Sequence, residues 1–136
     1  LKTLVAVRQQ LQRRYGESAA SIAANAAAPS IEDTFLQKLP EHIHAQLNNS
    51  EFGVPQLAAA SHLSQMQLYR KLKALTGKTP SQFIRSYRLN QGLELLKEGQ
   101  LTVSEVAYEV GFSDPSYFSR TFQKEFRKNP RDFLSG

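Results

Sequence analysis

Two runs in this sequence carry side chains whose types and spacing suit the recognition of a hydrogen-bonding, negatively charged surface. In SDPSYFSRTFQKEFRK, Ser116, Tyr117, Ser119, Arg120, Gln123, Lys124 and Arg127 fall between phenylalanines that recur every fourth residue. In SQMQLYRKLKAL, Gln65, Met66, Gln67, Tyr69, Arg70 and Lys73 fall between leucines in the same way. Glutamine pairs bidentately with adenine and arginine with guanine, while methionine and tyrosine can touch a thymine methyl. Both outward faces therefore have the chemistry to enter the major groove of DNA. Lys71, Lys78, Ser81, Arg85, Lys124 and Lys128 are donors of the kind that meets phosphate, setting affinity and salt sensitivity rather than sequence choice.

The elements that must hold these side chains are helices. In residues 101–134 a first helix is expected to open at Thr102 or Ser104 and to bury Val106, Ala107 and Val110. Gly111 stops it, because glycine takes the left-handed conformation that a sharp reversal needs, and Phe112 plugs the angle that follows. Ser113, Asp114 and Pro115 announce the next helix. Its Phe118, Phe122 and Phe126 then form one buried stripe. Residues 54–84 repeat this pattern. At an offset of 49, Leu57 meets Val106, His62 meets Gly111, Leu63 meets Phe112 and Ser64 meets Ser113. One residue is inserted early in the second helix, and at an offset of 50 Arg70 meets Arg120, Leu72 meets Phe122 and Pro80 meets Pro130. The copies are expected at 54–77 and 102–127, with a connecting helix over 80–97 that carries Gly92 in its middle and closes at Gly99. Seventeen or so residues span about 25 Å, somewhat less than the roughly 34 Å between major-groove turns on one DNA face. Ahead of the first copy, Ser30 or Asp33 can cap another helix marked by Phe35, Leu36, Leu39, Ile43 and Leu47, which Pro40 is expected to kink or to begin, leaving 41–47 as its firm part.

Composition excludes several other classes. The chain has 136 residues, 40% of them apolar, and no cysteine, so thiolate metal sites and disulfide frameworks are absent. Its three histidines are not at ligand spacing with carboxylates, and no paired acids or nucleophile and base occur together, so neither a metal, a cofactor nor an enzyme is expected. No run approaches the roughly 20 apolar residues of a membrane span. The formal charge is +5 and its distribution is blocked: six bases and no acid over 64–88, acid-rich 89–110, then five bases against Glu125 over 120–131. Solvated helix faces would give such blocks too. A nonspecific nucleic-acid binder or a helical protein-interaction module is the alternative reading. Residues 1–15 have the pattern of an amphipathic helix, and the Ala- and Ser-rich stretch 17–30 that of a linker. The chain starts with Leu1 and is expected to be a fragment of something longer.

The run SEVAYEVGFSDPSYFSRTFQKEFRKNPRDF, residues 104–133, with LSQMQLYRKLKALTGKTPSQFIRSYRL, residues 63–89, resembles the DNA-binding domain of the AraC/XylS family of bacterial transcription regulators. The resemblance implies an all-α fold of seven helices, two helix-turn-helix subdomains joined by a long helix, over 31–136. It implies sequence-specific binding of double-stranded promoter DNA by two recognition helices in adjacent major grooves, and transcription activation through RNA polymerase in the cytoplasm. Matched to the family's positions, Met66, Gln67, Tyr69, Arg70 and Lys73 in the first copy, and Pro115, Ser116, Tyr117 and Arg120 in the second, are expected at the bases. Residues 1–30 are similar to the end of a response-regulator receiver domain and its linker, mainly through VRQQLQRRY, which implies a hybrid two-component protein that dimerises through upstream domains. Three positions depart from the family pattern: His62 and Arg127 stand where glycine is usual, Arg127 adding a phosphate contact, and Gly92 stands where alanine is usual.

Overall fold

The computed structural model describes residues 30–134; the expectations for the amphipathic helix and most of the linker lie outside them. Among the described residues there are six α-helices and one short 3-10 helix, seven helical elements in all. They are α1 (Ile31–Ala45), α2 (Val54–Ala60), α3 (Gln65–Thr76), α4 (Pro80–Glu98), α5 (Val103–Glu109), α6 (Pro115–Phe126) and the 3-10 helix Pro130–Phe133.

The starts of these helices are written locally. Ser30, Ser64, Thr79 and Thr102 each accept the backbone N–H three residues on, and Asp33, Gln67, Gln82 and Glu105 reach back to the capping residue's own N–H. Each such box satisfies two N–H groups that the helix leaves unpaired, and losing its cap costs about 1 kcal/mol. In α6 the cap is Asp114, whose Oδ1 accepts from the Ser116 N–H at 3.0 Å, with Pro115 next in the first turn.

The two copies correspond element for element. α2 and α5 are seven residues each, α3 and α6 twelve each. Their turns are built alike: Leu63 N–H donates to the Ala58 carbonyl and Phe112 N–H to the Ala107 carbonyl, both at 2.9 Å. His62 at φ 59° takes the left-handed position that Gly111 takes at φ 91°. The extra residue of the second copy lies in its turn, not inside α6: Ser64 caps α3, and its counterpart is Asp114 rather than Ser113.

Two other expectations are corrected, and the connecting helix ends one residue later than expected. α1 starts behind the Ser30 cap, one of the two expected, but it runs through Pro40 without a break and ends at Ala45, because Pro40 is buried together with Leu36, Leu39 and Ile43, and core contact offsets the lost N–H bond. Phe118 and Phe122 are buried, but Phe126 is only half-buried, shielded by the Phe133 ring from the 3-10 helix. The connecting helix runs from Pro80 to Glu98, 19 residues or about 28 Å, because Thr79 caps it and Gly99 closes it at φ 74°.

α4 carries no single apolar stripe because it serves two cores. Its first half gives Phe83, Ile84 and Tyr87 to a cluster with Leu36, Leu39, Ile43, Leu57, Leu68 and Leu72. Its second half gives Leu89 and Leu96 to a cluster with Val106, Val110, Phe112, Phe118 and Phe122. Leu47, beyond the end of α1, packs against both.

Candidate nucleic-acid interface

On α3, Leu68 and Leu72 are fully buried, which turns Met66, Gln67, Tyr69, Arg70 and Lys73 outward. Met66 is 61% exposed and Tyr69 48%, a large apolar surface left in water beside a guanidinium. On α6 the same logic, with Phe118 and Phe122 inside, exposes Ser116, Tyr117 and Arg120, while Pro115 is half-buried in the first turn. The Arg120 guanidinium lies 5.9 Å from the centre of the Tyr117 ring, and that ring leans on Phe112, so both outward groups are supported from below.

Some of the outward side chains already have intramolecular work. The Gln67 Oε1 accepts from the Ser64 N–H at 2.9 Å, so its amide is shared between the helix cap and the surface. Lys73 Nζ donates to the Gly77 carbonyl at 3.2 Å, holding the end of α3. Among the phosphate candidates, Lys71 lies 4.7 Å over the Phe35 ring on the flank facing α1. Lys78 donates to Ser86 Oγ at 3.4 Å, and Lys128 lies over the Phe133 ring.

The remaining candidates converge in two places. Arg120, Gln123, Lys124 and Arg127 line one shallow groove along the outer side of α6, gathering three cations and an amide. Ser81 and Arg85 at the start of α4 line an open cleft of 320 Å³, and Ser113 and Tyr117 from the second unit line it too. This cleft joins the two units on the side where α6 begins. Gln123 belongs with Arg120 by spacing, three residues along one helix face, a signal that was present in the sequence.

Arg88 was counted in the first basic block, yet it is 5% exposed. Its terminal nitrogens donate to four backbone carbonyls: Nη1 to Leu47 at 2.5 Å and Val110 at 2.7 Å, Nη2 to Asn49 at 3.1 Å and Phe52 at 3.0 Å. Burial lowers its pKa from the usual arginine value. The sequence signal is that Arg88 follows Ile84 and precedes Gly92 by four residues each, placing an arginine on a buried stripe. One basic residue of the first block is therefore removed from the surface.

Among the described residues no group of three or more His, Cys, Asp or Glu is placed to hold a metal ion, and no helix is long and apolar enough to cross a membrane.

Residues 57–136 match the family described as the helix-turn-helix domain. The chain is 40% identical over 74 residues to the HTH-type transcriptional activator RhaS of Escherichia coli, an alignment that covers 54% of this chain and 27% of that protein. It is 29% identical over 133 residues to histidine kinase P4 of Formosa agariphila, covering 98% of this chain and 10% of the kinase. The chain thus spans a small part of the length of these relatives. Among solved structures, the C-terminal domain of the two-component response regulator yesN from Fusobacterium nucleatum superposes with a TM-score of 0.65 at 25% identity, over 71% of this chain and 94% of that one.

Proposed function

The chain belongs to the helix-turn-helix domain family, in its AraC-type branch, and on that premise we propose that it is the promoter-reading segment of a longer bacterial regulator. α3 and α6 enter adjacent major grooves of double-stranded DNA, the first presenting Met66, Gln67, Tyr69, Arg70 and Lys73, the second Pro115, Ser116, Tyr117 and Arg120. Ser81, Arg85, Lys124, Arg127 and Lys128 meet phosphate, joined by Lys78 once its side chain leaves its present partner, while Lys71, held over the Phe35 ring, adds a smaller share. The observation that carries this reading is the repeat: two helix pairs of equal lengths, each with a buried inner stripe and an outer face of exposed Tyr, Arg and amide.

The likeness to a histidine kinase over nearly the whole chain, and to the C-terminal domain of a two-component response regulator, supports a place as the output of a two-component system. In that arrangement residues 1–30 close an upstream receiver-like domain and its linker, 31–136 form the reading domain, and upstream domains supply dimerisation. The likeness to a transcriptional activator supports a role in activation; in this proposal that role runs through RNA polymerase, in the cytoplasm.

Selection of bound duplexes from a random DNA library, repeated with Arg70→Ala and Arg120→Ala, tests the reading. It expects a motif of two boxes about one helical turn apart, each losing information with its own variant. Salt-sensitive binding without any enriched motif would instead establish a nonspecific nucleic-acid binder.

A further inference from the structure

The two units have separate cores, so something must fix the angle between them if their outer faces are to fit one DNA duplex. α4 runs through both and Leu47 packs against both, but apolar packing of this kind is non-directional and fixes an angle less sharply than hydrogen bonds do. Arg88 sits at the point where the halves meet, between Tyr87 of the first core and Leu89 of the second. Each of its two terminal nitrogens has two N–H groups. Three of the carbonyls they reach, Leu47, Asn49 and Phe52, belong to the segment between α1 and α2 in the first unit. The fourth, Val110, is the capping residue of α5 in the second unit, immediately before the turn into α6.

Nη1 binds one carbonyl of each unit, so a single nitrogen spans the junction. Leu47 and Val110 lie at or just beyond helix C-termini, where carbonyls are left unpaired and a buried cation is favoured. The fit is close on the far side as well. A Cβ built on Gly111 would fall 1.4 Å from Arg88 Nη1 and 2.5 Å from the Leu47 carbonyl oxygen. Gly111 is therefore glycine for two reasons: its φ of 91°, and the guanidinium that occupies the place of a side chain.

We propose that Arg88 is the positioning residue that sets the angle between the two reading helices, and through it the spacing of the DNA boxes the chain accepts. This rests on the two-headed reading proposed above. Arg88 touches no DNA in this role; it acts by tying the α1–α2 segment to the α5–α6 turn. A lysine keeps the charge but places one nitrogen where two are needed, so it cannot serve both carbonyl sets with the same geometry.

The chain has no cysteine, so introduced pairs are the only labelling sites. Spin labels at Ala74→Cys on α3 and Glu125→Cys on α6 report the distance between units. Labels at Glu109→Cys and Glu125→Cys report the second unit alone. With Arg88→Lys and Arg88→Met in the full chain, the distance distribution between units is expected to broaden at least about twofold, while that within the second unit stays as in the parent. Binding to two-box duplexes with one base pair added or removed is measured in parallel. The parent is expected to lose about tenfold or more for each misplaced step, the scale of one mismatched base pair; both variants are expected to lose less than threefold. Arg88→Lys keeps the test informative if Arg88→Met does not fold. An unchanged distribution between units, or an equal broadening of both label pairs, overturns the proposal. A broadened distribution between units with a spacing profile identical to the parent's also overturns it. If the parent itself selects no two-box duplex, the two-headed reading falls instead, and the label distances alone then decide whether Arg88 orients the units.

Discussion

Arg127 closes α6 at φ 62°, a conformation costing a side-chain-bearing residue about 1–2 kcal/mol relative to glycine. Its counterpart Gly77 closes α3 at φ 78° without that cost. Arg127 also lines the cationic groove with Arg120 and Lys124, so the strain is held where a charge is useful. Arg127→Gly is therefore expected to raise thermal stability by roughly 0.5–1 kcal/mol, net of the greater freedom of glycine in the unfolded chain, while weakening DNA binding. A calorimetric scan and a binding isotherm on the same sample check it; a fall in both would mean that the side chain also holds the fold. Tyr87 stands in the opposite relation to charge. It is 1% exposed, its hydroxyl is 2.8 Å from His44 Nδ1, and burial raises its pKa from 10.0 to about 12. Because the folded state holds the phenolic proton more tightly than the unfolded one, the corresponding stability is complete below pH 10 and is lost as pH rises towards 12. Tyr87→Phe should thus be less stable than the parent at pH 8, lacking the hydrogen bond, and should lose less on going to pH 11.5. Parallel melts at the two pH values decide it, since the other titrating groups are common to both proteins.

At the scale of elements, the close crossing of α4 with the second unit depends on Gly92. A Cβ there would lie 3.0 and 3.1 Å from the buried Phe118 ring and 3.6 Å from Val106. Alanine would add about 1 kcal/mol of helix propensity, but it must displace a fully buried ring, which costs about 1–3 kcal/mol. Gly92→Ala is expected to lower stability by about 1 kcal/mol, seen as a lower urea midpoint with an unchanged slope; a higher midpoint would show that α4 and α6 can part without loss. Only the propensity term is legible in the sequence, because a helix interior is local and the opposing ring is 26 residues away. The same boundary separates what was legible from what was not. Thr102 and Asp114 as caps, Gly111 as the stop and the paired helices were readable, since each is fixed by neighbours within four or five residues. The unbroken course of α1 through Pro40 and the burial of Arg88 were not, since both depend on partners from distant segments. The outer residues were placed on exposed faces by periodicity alone, but the attachments of Gln67, Lys71 and Lys73 needed coordinates.

For the whole molecule, the net charge of +5 overstates what a DNA backbone would meet in one region and understates it in another. In the first basic block Arg88 is buried, Lys71 is laid over Phe35 and Lys73 is turned to a carbonyl, so much of that charge serves the fold. Along α6 the cations instead gather in one groove that faces outward. Counterion release converts this difference into a measurable one, since each phosphate neutralised adds about 0.9 to the slope of log affinity against log salt. Lys124→Ala is expected to reduce that slope by nearly one unit and to leave the selected sequence unchanged, as a phosphate contact should. Lys71→Ala is expected to change the slope by less than half as much, and to cost stability on the order of 0.5–1 kcal/mol through the lost contact with Phe35. Titrations at four salt concentrations with one fixed duplex distinguish the two. Equal slope changes would mean that Lys71 leaves the Phe35 ring for a phosphate on binding, and that the charge of the first unit is held in reserve rather than spent on the fold.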